Sequence, residues 1–178
     1  MARVPLTSRP LDLVYFYFFL NHIPASILLD FQKFYPAAYV PSLLLRIRQW
    51  WIDISADPLL MAAARGDNLL HGELVWFGCF AWLELLFQFP IFILGMKGLW
   101  NGSRSIYILL LAYGASTATT VLPCIFYFFQ EHNMTATQRL ILLSSYVPFF
   151  LVPLVMAIDM GSRVYNIVAS AEMKGKTE

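Results

Sequence analysis

The chain has 178 residues, of which 59% are apolar, 16% aromatic and only 13% charged, with a formal net charge of +1 and a mean hydropathy of +0.63. Soluble domains carry about 25% charged residues, so this composition excludes an ordinary water-soluble fold. The 12 basic residues lie singly or in pairs, which excludes the clustered basic face of a nucleic-acid-binding protein. Cys79 and Cys124 both sit in apolar runs and build no disulfide framework, and histidines at 22, 71 and 132 fall in three separate segments, so neither a metal nor a cofactor is expected.

In chain order, uncharged stretches run from Leu13 to Leu29, from Leu74 to Met96 with Glu84 as the interruption, from Ser105 to Gln130 and from Leu140 to Ile158. A helix needs about 20 mainly apolar residues to cross a hydrocarbon core of about 30 Å, and these runs of 17 to 26 residues meet that within tilt and snorkelling. The spacing predicts an all-α polytopic membrane protein, a four-transmembrane-helix bundle. Residues 1–10 form an N-terminal segment, 11–160 the membrane domain and 161–178 a tail. Arg3 and Arg9 ahead of the first run imitate a secretory signal, but that run is long and contains Asn21, His22 and Pro24, so it counts as a span. Four spans put both termini on one side. Seven basic residues there against five opposite make that side cytosolic. Lys174 and Lys176 then resemble a dilysine retrieval signal of the endoplasmic reticulum, a receptor-read address.

Between spans one and two, residues 39–54 read as an interfacial helix, with Leu43, Ile47, Trp50, Trp51 and Ile54 on one stripe and Arg46, Gln49 and Asp53 opposite. An ionisable group within a span costs several kcal/mol and is kept by function or by a partner, which singles out Glu84. Gln88 stands one turn further on the same face. Asp30 closes the first span, and His22 lies eight residues earlier on roughly the same face. With Trp76 and Trp100 taken as the aromatic belts of span two, Glu84 and Asp30 face each other. Two carboxylates in one apolar pocket share a proton at neutral pH, and such a pair suits a cationic guest covered by aromatic rings. Thr117, Thr120 and Cys124 share a face of span three, and Tyr146, Phe149 and Pro153 a face of span four. Taken alone, those residues read better as helix glue and core filler.

Six segments in order, Leu20-Asn-His-Ile-Pro24 with Leu29-Asp-Phe-Gln32, Asp57-Pro-Leu-Leu60, Glu84-Leu-Leu-Phe-Gln-Phe-Pro90, Thr117-Ala-Thr-Thr-Val-Leu-Pro123 and Arg139-Leu-x-Leu-x-Ser-x-Tyr-x-Pro148, together resemble the sigma-2 receptor (transmembrane protein 97) family. That family belongs to the EXPERA group with emopamil-binding protein, the sterol isomerase. The resemblance implies a homodimeric endoplasmic-reticulum protein, found also at nuclear-envelope or endolysosomal membranes, whose occluded pocket opens laterally to lipid. The pocket would bind sterols, oxysterols and cationic amphiphilic drugs, with a cholesterol-transport membrane protein as partner. By position, Asp30 would pair with a ligand amine and Glu84 would be its hydrogen-bonded neighbour. His22, Trp50, Trp51, Asp57, Gln88, Thr120, Tyr146 and Phe149 would line or support the pocket. Three departures stand out: the stretch between Leu60 and Glu84 is longer, Phe149 replaces a tyrosine, and the tail holds only two lysines.

A receptor or trafficking regulator is the leading reading. Its rivals are a sterol double-bond isomerase, with Asp30 and Glu84 as acid and base, and a membrane scaffold in which the carboxylates merely hold helices together.

Overall fold

The computed structural model describes residues 4–65 and 72–175. Among these the chain is helical, without a strand. Helix α1 spans Pro10–Leu28, α2 Ser42–Ser55, α3 Pro58–Ala64, α4 Val75–Leu83, α5 Phe89–Asn101, α6 Tyr107–Gln130 and α7 Ala136–Gly175. A 3₁₀ turn, Asp30–Phe34, prolongs α1, and a π-helical turn, Glu84–Gln88, joins α4 to α5 into one rod. Four helical stretches are therefore long and apolar enough to cross a membrane: Pro10–Phe34, Val75–Asn101, Arg104–Gln130 and Ala136–Gly175. Ile108, Phe126, Leu86 and Leu140 are each more than half exposed on the outside, as suits a surface solvated by lipid rather than water.

Local chemistry sets the boundaries. Pro10 opens α1 at the first turn, where its missing N–H removes no helical bond, and Asp12 adds negative charge near the positive end of the helix dipole. Pro36 and Pro41 break the connection after span one, so the interfacial helix begins at Ser42 and not at Tyr39, which falls in a short 3₁₀ turn, Ala37–Tyr39. Gly102 closes α5 at φ +64°, and its N–H bonds back to the Leu99 carbonyl. Helix α7 continues without a break past residue 160 to Gly175. Lys174 lies in its last turn; Lys176 lies outside the described residues.

The core has two parts. Tyr15, Phe19, Ile91, Phe92, Leu110, Tyr113, Met156 and Met160 pack where α1, α5, α6 and α7 meet, with Phe19 edge-on to Tyr113 at a centroid distance of 5.1 Å. Leu59, Cys124, Phe128 and Leu142 form the second part around α3, α6 and α7. Helices α6 and α7 approach closely at Gly114, where an added Cβ would lie 2.5 Å from the Pro153 carbonyl oxygen and 2.9 Å from the Ala157 nitrogen.

One end of the bundle is closed by a polar clamp that the charge count had not resolved. Buried Asp12 pairs with Arg9 and, at 2.7 Å, with Arg163. Arg163 also pairs with Asp159 at 2.8 Å and covers the Tyr107 ring at 5.3 Å, and Tyr15 donates to Asp159 at 3.2 Å. Arg9 donates to the Leu99 carbonyl at 2.6 Å, satisfying the end of α5. All four spans thus meet in one network.

Gly114→Ala is expected to cost about 1–3 kcal/mol, because the obstructing atoms are backbone and cannot rotate away. A melting temperature in detergent equal to wild type would show that the two helices separate freely there. Asp12→Ala is expected to cost about 2 kcal/mol, since it takes a charge partner from two partly buried guanidinium groups at once and leaves Arg163 with Asp159 and Arg9 with the Leu99 carbonyl. Loss of the clamp would appear in the same melting assay, with Asp12→Asn falling between.

Candidate functional site

At the opposite end from the clamp the helices enclose a cavity of about 390 Å³. Each wall has a sequence reason. His22, Ser26 and Asp30 recur at intervals of four along α1 and its 3₁₀ extension, so they share one face, and His22 and Asp30 both line the cavity. Phe77, Phe80, Ala81, Glu84 and Gln88 recur at three and four along the second span and line the facing wall. The π turn brings Glu84 and Gln88 onto that wall together, since its wider ladder takes more than four residues per turn. Pro90, which has no N–H for the carbonyl four residues back, follows immediately and accounts for the altered ladder. Thr117, Thr120 and Cys124 come from α6; Ser145, Tyr146 and Phe149 come from α7.

The polar groups are closely partnered. Ser26 donates to Glu84 Oε1 at 2.6 Å, and His22 Nε2 lies 3.9 Å from the same oxygen. The His22 ring stacks on Phe92 and meets Phe149 edge-on, both at 4.5 Å between centroids. Its Nδ1 is 3.5 Å from the Tyr113 hydroxyl. Gln88 donates to Ser116 at 3.3 Å. Asp57 has a structural task besides lining the cavity. Its Oδ1 accepts from the Leu59 and Leu60 amides at 3.0 Å each, capping α3, and its Oδ2 accepts from the Tyr146 hydroxyl at 2.9 Å. Burial pushes this carboxyl above the ordinary aspartate range, while the Leu60 amide, Tyr146, the Leu59 amide and Trp51 pull it back.

Of the residues expected at the site, Asp30, Glu84, His22, Gln88, Trp51, Asp57, Thr120, Tyr146 and Phe149 line this cavity. Trp50 does not. It is 59% exposed on the outer side of α2, because neighbours on a helix diverge by about 100° and only Trp51 can turn inward. Sequence reasoning missed Ser26, Lys33, Phe77, Phe80 and Ala81. The stripes through 22–26–30 and 77–80–81–84–88 carried the signal for all but Lys33, which enters the sequence reading only as one of the five basic residues opposite the termini.

Four helices long and apolar enough to cross a membrane, around a cavity lined by three carboxylates and by aromatic rings, define a polytopic membrane protein. Residues 43–160 match the EXPERA (EXPanded EBP superfamily) family model, and the chain belongs to that family. Among its curated relatives, Sigma intracellular receptor 2 of Xenopus tropicalis is 30% identical over 162 residues, covering 86% of this chain and 89% of the relative. Efficient mitochondria targeting-associated protein 19 of Schizosaccharomyces pombe is 29% identical over 172 residues, covering 96% and 85%. Sigma intracellular receptor 2 of Homo sapiens is 28% identical over 168 residues, covering 88% and 90%.

Asp57→Ala removes the acceptor of two amides and a hydroxyl together and is expected to cost about 2–3 kcal/mol. Asp57→Asn keeps one oxygen for the amides and is expected to cost less than half of that. Equal melting temperatures for the two variants would show that the cap contributes nothing.

Proposed function

We propose that the protein is a non-catalytic receptor of the endoplasmic-reticulum membrane that binds sterols, oxysterols and cationic amphiphilic molecules in this cavity. In this reading it regulates cholesterol homeostasis or trafficking together with a cholesterol-transport membrane protein. Both termini face the cytosol, and the working unit is a homodimer. One observation carries the binding reading: Asp30 and Glu84 line a cavity whose other walls are aromatic and aliphatic, complementary to a rigid apolar body with one polar end. The name of the relatives, a receptor, supports the non-catalytic reading.

A sterol isomerase is the second reading, favoured by His22 standing 3.9 Å from Glu84 in a cavity that also holds Asp30, since an acid, a base and a proton carrier in one apolar site suit double-bond migration. Steady conversion of a Δ8 sterol by purified protein, abolished in Glu84→Gln, would replace the receptor reading with the catalytic one.

The binding reading predicts that 25-hydroxycholesterol, at about a hundredfold excess over its Kd, raises the melting temperature of the purified protein by about 5–10 °C. Ala81→Phe places a ring inside the cavity and is expected to abolish the rise. A rise that persists in this variant would put the sterol elsewhere on the protein.

A further inference from the structure

The cavity holds a cation of its own. Lys33 and Asp30 sit three residues apart in the 3₁₀ turn Asp30–Phe34, and at three residues per turn such side chains stand one above the other; both line the cavity. The Lys33 ammonium does not reach outward to the interface. Its Nζ lies 4.6 Å from the centroid of the Phe77 ring, itself part of the wall, and 5.6 Å from that of Phe34.

The other carboxylates are engaged elsewhere. Asp57 receives two amides and the Tyr146 hydroxyl, and Glu84 receives Ser26 with His22 alongside. Asp30 is thus the carboxylate open to an ammonium, and Lys33 lines the same cavity one 3₁₀ turn further on. A tethered group competes at an effective concentration in the millimolar range or above, so an incoming amine must displace it and leave a second buried cation without a partner. A hydroxyl needs no such exchange. The buried Thr117 side chain lines the cavity, and Thr120 and Gln88 border it with further polar groups.

We propose that Lys33 fills the cation position of this cavity, so that the protein selects uncharged, hydroxyl-bearing sterols and discriminates against sterol-sized amines. This rests on the binding reading above and ranks the two ligand classes named there.

The test is equilibrium binding of a matched pair, cholesterol and 3β-aminocholest-5-ene, to the full chain purified in detergent, as wild type, Lys33→Met and Lys33→Arg. Wild type is expected to bind the hydroxyl sterol about tenfold more tightly than the amine. Lys33→Met is expected to reverse that order, while Lys33→Arg keeps it. Wild type preferring the amine would overturn the proposal without recourse to any variant, and so would an unchanged ratio in Lys33→Met with cholesterol binding intact. Binding of neither sterol by any of the three proteins would overturn the binding reading as well.

Discussion

Inside a bundle that excludes water, a polar group must find its partner on another part of the protein, and this requirement shapes both ends of the molecule. At one end Arg9, Asp12, Asp159 and Arg163 use one another, with Tyr15, the Leu99 carbonyl and the Tyr107 ring, to join all four spans. At the other, Glu84 is met by Ser26, and Asp57 by the start of α3 and by Tyr146. Between them lies an aromatic middle of Phe19, Phe92 and Tyr113 with no charge to satisfy. The two ends differ in one respect: the clamp is filled by protein, whereas the cavity leaves about 390 Å³ beside its carboxylates.

That difference separates stability from binding. Filling the cavity with side chains would improve packing, and ion pairs confined in apolar surroundings add little net stability compared with well-packed apolar residues. A site that keeps Asp30, Lys33, Glu84 and His22 around open volume therefore departs from what folding alone favours. The π turn is a second departure at the same place. It gives up regular hydrogen bonding where Glu84 and Gln88 need to face one way, and π turns of this kind recur at functional sites.

Much of this was legible in the residues. The four spans follow from where the charges fall, and Glu84 is conspicuous because nothing charged lies near it along the chain. The spacing of His22 and Asp30 placed them on one face, as the structure does. What stayed hidden depended on direction. Trp50 and Trp51 are equivalent to a hydrophobic stripe, and only the packing of Trp51 against the cluster of Leu59, Cys124, Phe128 and Leu142 distinguishes them. Lys33 reads only as one of five basic residues opposite the termini, yet the 3₁₀ turn that carries it sets it in the cavity wall. Arg9, Asp12 and Arg163 read as topology signals in separate segments; that they touch is a property of the assembled bundle, invisible at a separation of 151 positions.

Helix α7 is the longest element, and its 40 residues extend about 60 Å at 1.5 Å per residue, beyond a bilayer of about 40–45 Å including its headgroups. Arg163 anchors it to the clamp, and the turns that follow carry exposed Tyr165 and Val168 onward to Lys174. Those turns act as a rigid spacer. Lys174 stands about 16 Å beyond the Arg163 anchor, at an angle set by the bundle, so that rotation or tilt of the fourth span displaces the end of the helix as a lever does.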